Sequence, residues 1–105
     1  MSSTQFAFGA VKSNSTRTNA MAMIASSITS ETKTPSGSTA STTAVAADPG
    51  GGYLPVCRVA TDTQVKVSFG TAPNAGTDAT AVLLPAGAVE YFIVAVGDKG
   101  AVITA

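Results

Sequence analysis

Apolar and polar positions divide the chain into two unlike halves. In the second half, short apolar runs recur between turn residues: "YLPVCRVA", "QVKVSFG", "TAVLLP", "VEYFIVAVG" and "KGAVITA". Each is of strand length and rich in β-branched or aromatic residues, which suit a pleated, half-buried surface. The separators "TDT", "TAPNAGTDA", "AGA" and "GDKG" carry turn chemistry. Val65, Val67 and Phe69 alternate with Lys66 and Ser68, the pattern of a strand with one buried face. Gly97-Asp98-Lys99-Gly100 predicts a hairpin that pairs the last two strands antiparallel.

The first half is rich in Ser, Thr and Ala, and meets the second at "DPGGGY", residues 48–53, a glycine-rich loop that neither helix nor strand accommodates. In "SGSTASTTAVAA", Thr39, Ser41, Thr43 and Val45 would share one face, and Ala40, Thr42, Ala44 and Ala46 the other. That alternation predicts a strand of small residues. "AMAMIASSI" reads as a further strand, since its Ser and β-branched residues compete with a helix. "TQFAFGAV" puts Phe6 and Phe8 on one face, either of a first strand or of an extended arm over residues 1–19 that docks on a neighbour. Seven or eight short strands without helical periodicity predict a single all-β domain over residues 1–105, an antiparallel β-sandwich or barrel of jelly-roll-like or immunoglobulin-like form.

The run "VEYFIVAVG" changes this picture. One face carries Glu90, Phe92, Val94 and Val96, the other Val89, Tyr91, Ile93 and Ala95, and Glu90 is its one charge. A strand with one wet face alternates apolar with polar, so this one is expected to be covered on both. Each buried Val, Ile or Phe contributes about 1.5–3 kcal/mol, a large share of a small domain's stability. In so short a chain the second cover is expected from another chain, in a homo-oligomer or a larger assembly; the alternative is a loop or the Ser/Thr-rich arm of the same chain. Phe6, Phe8, Tyr53, Tyr91 and Ile93 are the candidate interface residues.

Composition points the same way. Charged residues make up 11% of the 105-residue chain, against about a quarter in typical soluble domains. The formal net charge is zero and the charges are scattered, so no basic stripe is available to neutralise phosphates and nucleic acid is not an expected partner. The start "MSSTQFAFGAVKSNSTR" lacks the basic and sustained apolar regions of a secretory signal, which predicts action where the chain is made or in a particle assembled there. Residues 79–97 are apolar enough to suggest a membrane span, but Pro85, Gly87 and Glu90 interrupt them. "NST" at Asn14 has the form of a glycosylation acceptor and reads as an ordinary polar loop without that signal.

Little in the chain promises catalysis. The six acids, Glu31, Asp48, Asp62, Asp78, Glu90 and Asp98, never fall within three residues of one another, and most lie in predicted turns. Without His, the usual Ser or Cys nucleophile has no base, and zinc has no ligand cluster. "DPGGG" and "GDKG" lack the alternating oxygen ligands of a calcium loop. Cys57, the single cysteine, sits in an apolar run and reads as a buried structural thiol. No enzymatic activity and no cofactor are expected.

From Arg58 onward, "RVATDTQVKVSFGTAPNAGTDATAVLLPAGAVEYFIVAVGDKGAVITA" resembles small virion-associated proteins of tailed bacteriophages. The residues that carry the likeness are Phe69-Gly70 with Ala72-Pro73 and Ala75, then Leu83 to Gly87 with Glu90 to Phe92, then Gly97 to Lys99 with Ala101 to Ile103. The resemblance implies a capsid decoration or cement protein: a small β-rich domain, a dimer or trimer, bound on the capsid surface across joints between major capsid protein subunits, and made in the bacterial host cytoplasm. A tail or head-fibre attachment domain, or a glycan-binding β-sandwich using Tyr53 or Tyr91, is the alternative.

Overall fold

The alternation of apolar residues becomes two facing sheets in the computed structural model, which describes residues 2–12 and 28–105. The strands are β1 (Thr4–Lys12), β2 (Thr29–Lys33), β3 (Ala40–Ser41), β4 (Tyr53–Thr61), β5 (Val65–Gly70), β6 (Val82–Leu84), β7 (Val89–Ile93) and β8 (Lys99–Thr104). They form two antiparallel four-stranded sheets, ordered β2-β1-β4-β7 (sheet A) and β3-β8-β5-β6 (sheet B). Among the described residues there is no helix. The protein is an all-β sandwich.

Sheet A contributes Phe6, Phe8, Cys57 and Val59 to the core, and sheet B contributes Val65, Val67, Leu84 and Val102, with Ala46 and Val94 from the connecting segments. Phe69 links the layers: its ring meets Phe6 edge-on at 6.1 Å and Phe92 at 5.0 Å, both within the range where aromatic pairs add to area burial. Ala7, Val11 and Val56, which alternate with the core residues of β1 and β4, are buried as well.

The strand order has a simple logic. β5 pairs with β6 and β4 with β7, each pair enclosing the one before in sequence, and β3 with β8 encloses both. A long hairpin of nested pairs, wound so that successive pairs fall in different sheets, is how a jelly roll is built. β1 and β2 form the fourth pair. Here β1, at the start of the chain, lies where a strand following β8 would complete the nest.

Several sequence expectations meet a correction. β7 and β8 do not form a hairpin: β7 pairs with β4 in sheet A, and β8 lies between β3 and β5 in sheet B. The cause lies in β4. Val94 donates its N–H to the Pro55 carbonyl at 3.1 Å, but proline has no N–H to return, so the β7 ladder stops there. The chain then turns at Ala95–Asp98, where Asp98 N–H bonds the Ala95 carbonyl at 3.0 Å and Gly97 takes φ +90° at the position where a type II turn requires it. The turn between β6 and β7 is built alike, with Ala88 N–H on the Pro85 carbonyl and Gly87 at φ +82°.

β1 pairs with β4 along its whole length and with β2 on its other side, so residues 4–12 are a central strand and not an arm. Residues 13–19, Asn14 and the "AMAMIASS" part of a predicted strand lie outside the described residues. "SGSTASTTAVAA" is a strand only at Ala40–Ser41, with further backbone bonds at Ser36, Thr42 and Ala46. Its alternation survives in burial, since Thr42 and Ala46 are buried while Ser41, Thr43 and Val45 are exposed. The separator "TAPNAGTDA" proves to be a cover on sheet B's outer face. Ala75 N–H bonds Thr39 Oγ1 at 3.0 Å, Ser41 Oγ donates to the Pro73 carbonyl at 3.3 Å, and a Cβ on Gly76 would lie 3.1 Å from Ile103. Ala101 and Ser68, on that face, are fully buried.

Candidate functional site

The two lateral sides of the sandwich differ in chemistry. On one, β2 ends sheet A and β3 ends sheet B, and a single carboxylate ties them together. Glu31 Oε1 accepts from Thr43 N–H at 3.0 Å, Thr43 Oγ1 at 3.0 Å and Ala44 N–H at 2.9 Å, while Oε2 meets Lys33 Nζ at 3.0 Å. Partial burial pushes the Glu31 pKa up. The Ala44 N–H, the Lys33 ammonium and the Thr43 donors outweigh it and hold the carboxyl down at about 2. Sheet A is thereby fastened to the segment that follows β3.

On the other side, β6 ends sheet B and β7 ends sheet A, joined by the tight turn at Pro85–Ala88. No clamp of that kind is present here among the described residues. Instead Val82 and Leu83 of β6, Val89, Tyr91 and Ile93 of β7, and Val96 of the following turn stand exposed. Ile93 is 63% exposed, Val89 47% and Tyr91 39%. Phe92, between them in sequence, packs on the core. The strand's residues are apolar on both faces, and among the described residues only the face with Phe92 is covered.

The backbone of β7 is as open as its side chains. Hydrogen bonds from Thr61 N–H to the Ala88 carbonyl and from Val94 N–H to the Pro55 carbonyl, both 3.1 Å, fix the phase of its ladder with β4. Ala88, Glu90, Phe92 and Val94 direct their backbone groups at β4, so Val89, Tyr91 and Ile93 direct theirs outward. No described strand pairs with that side.

Of the five residues picked from sequence, Tyr91 and Ile93 share this open strand. Phe6 and Phe8 do not join them: both are sealed in the core, at 0% and 3% exposure, by the two sheets of their own chain. Tyr53 is not on β7 but opens β4. It lines a cavity of about 390 Å³ with Phe8, Ala10, Val45, Asp48 and Pro49. Val82, Leu83 and Val96 were not singled out, because an apolar residue in a short run reads as core until the run is known to be an edge.

The four aspartates lie outside the strands and accept backbone N–H groups. Asp48 accepts from Gly50 N–H, Asp62 from Ser3 N–H, Asp78 from Asn74 N–H and Asp98 from Ala95 N–H, at 2.8–3.0 Å. Among the described residues no three His, Cys, Asp or Glu side chains are grouped to hold a metal. Cys57 is fully buried, and burial pushes its thiol up to about 12. Comparison of the chain with protein-family models, curated proteins and solved structures finds no match.

Proposed function

We propose that this protein is a non-enzymatic structural component of a phage particle, a capsid decoration or cement protein that adds contacts between major capsid subunits. The observation that carries the reading is the open side formed by β6 and β7, where a charge-poor domain leaves Val82, Leu83, Val89, Tyr91, Ile93 and Val96 in water. Exposed apolar groups gathered on the edge strands β6 and β7 suit burial against other protein. The work such a protein does is binding energy: a stable contact buries about 1,000 Å² or more in total, and repetition around a shell resists internal pressure. Particles depleted of the protein are expected to rupture at a lower temperature than intact ones and to recover when the purified protein is added back. Leu83→Asp protein is expected to restore less. Equal robustness of depleted and intact particles overturns the proposal.

A second reading rests on the Tyr53 cavity, where an aromatic ring stands beside Asp48 in a recess of about 390 Å³. Ring and carboxylate together suit a sugar, as in a tail or head-fibre domain that recognises a host glycan. A glycan array decides it: specific binding lost in Tyr53→Ala favours this reading over the first.

A further inference from the structure

The open edge of β7 is complementary to itself. We infer that two copies of this chain pair antiparallel along β7 with the two-fold axis at Tyr91, joining two four-stranded sheets A into one continuous sheet. The pairing concerns β7 alone, and leaves Val82, Leu83 and Val96 for other neighbours. It does not depend on the virion reading.

The register follows from the backbone. Outward N–H and C=O groups belong to Val89, Tyr91 and Ile93. With the axis at Tyr91, Tyr91 faces Tyr91 of the second copy and Val89 faces its Ile93, so every outward donor on one copy meets an outward acceptor on the other. An axis at Glu90 sets two carboxylates directly opposite, which is unfavourable, and strands the backbone of Ile93. An axis at Phe92 strands that of Val89. Only the Tyr91 register pairs all three residues, and it sets Glu90 against Phe92. On the outer face it also brings Val89 beside Ile93 and ring beside ring at Tyr91, so these side chains shield one another along the seam.

Edge strands of monomeric proteins are blunted by charge, shortness or bulges. β2 carries Glu31 and Lys33, β3 has two residues and β6 three. β7 has five residues, and Glu90 is its one charge. With zero formal net charge, two copies approach without long-range repulsion. Among the described residues each copy has one such edge, so pairing closes at two. Main-chain bonds carry the affinity in strand addition. A five-residue seam is smaller than a standard interface of about 1,600 Å², so the association is expected to be weak and reversible.

Sedimentation equilibrium of the full chain from low micromolar to near-millimolar concentration is expected to show monomer passing to dimer. Tyr91→Pro removes only an outward N–H and no bond to β4, so it is expected to weaken association at least about tenfold while far-UV circular dichroism is unchanged. Under mild oxidation, Tyr91→Cys is expected to give a disulfide-linked dimer, since hydrogen-bonded antiparallel partners have Cα atoms about 5.5 Å apart. Val89→Cys is expected to give none, because two Val89 positions lie about 14 Å apart in this register. Monomer at every concentration overturns the inference, as does a dimer indifferent to Tyr91→Pro or one that Val89→Cys cross-links as well as Tyr91→Cys. A chain that is monomeric yet protects capsids overturns the dimer alone, and a dimer that leaves capsids unprotected overturns the virion role alone.

Discussion

The ring of Phe6 lies so close to Gly100 that a Cβ on Gly100 would stand 2.6 Å from its Cδ1 and Cε1 atoms. Phe6 is on β1 of sheet A and Gly100 on β8 of sheet B, so the two sheets approach through this pair. The glycine interrupts an apolar strand where a side chain would otherwise fill the core. Gly100→Ala is therefore expected to destabilise the protein by about 1–3 kcal/mol through overpacking. Phe6→Leu, itself destabilising, is expected to lose less in the Gly100→Ala background than alone. Urea denaturation of the four proteins in a double-mutant cycle checks it, and additive effects would contradict the contact.

Glu31 makes stability depend on acid. Its carboxyl falls from 4.5 to about 2 on folding, so the ionised form is favoured by the fold. That contribution is whole above about pH 4.5 and is lost as pH falls from there through about 2. The Glu31 side chain is 20% exposed, and solvent screening reduces the effect to about 1–2 kcal/mol. Glu31→Gln should be less stable than the parent by that amount at pH 7, with the gap closing towards pH 2. Urea midpoints of both proteins across this range are the measurement. A gap independent of pH would show that the clamp does not work through its charge.

Cys57 offers an internal clock for opening. Its side chain is fully buried and its thiol is pushed up to about 12, and thiol reagents attack the thiolate. At pH 8 an aromatic disulfide reagent is expected to label the native protein at least about 10³-fold more slowly than the urea-unfolded chain, in keeping with the stability of small domains. Rapid native labelling would mean that β4 is exposed far more often than its place in the core allows.

What the sequence made legible was local. The alternation of Val65, Val67 and Phe69 gave β5 and its core face, and the burial pattern across residues 40–46 followed the small-residue alternation even where no ladder forms. β2 was invisible, because "TSETK" is polar on both faces and owes its strand to pairing with β1. The partner of β8 was misread for a related reason. Gly97 to Gly100 has hairpin chemistry, but the β7 ladder is ended by Pro55, a residue distant in sequence. The candidate site divided likewise. That Tyr91 and Ile93 share an apolar face follows from period two, whereas whether Phe6 and Phe8 meet their own sheet or a neighbour's depends on which strands flank them.

The nested strand order leads to a last prediction. Ser3 N–H bonds Asp62 Oδ1 at 2.8 Å, and Ala105 N–H bonds the Gln64 carbonyl at 3.4 Å. The outer end of β1 and the far end of β8 therefore meet at the same corner, between β4 and β5. A short flexible linker can join them, which makes β1 the strand after β8. The chain can then be opened at Gly51, which is exposed and has nothing packed against it. Exposed loop sites with few tertiary bonds tolerate such cuts, and each doubling of loop length costs only about 0.6 kcal/mol. The permutant should keep the parent's circular dichroism and a urea midpoint within about 1 kcal/mol of its stability. Residues 13–105 with β1 deleted should not fold, since sheet A loses the strand that carries Phe6 and Phe8 and separates β2 from β4. A permutant that unfolds while the deletion stays folded would refute the assignment of β1 as the closing strand of the roll.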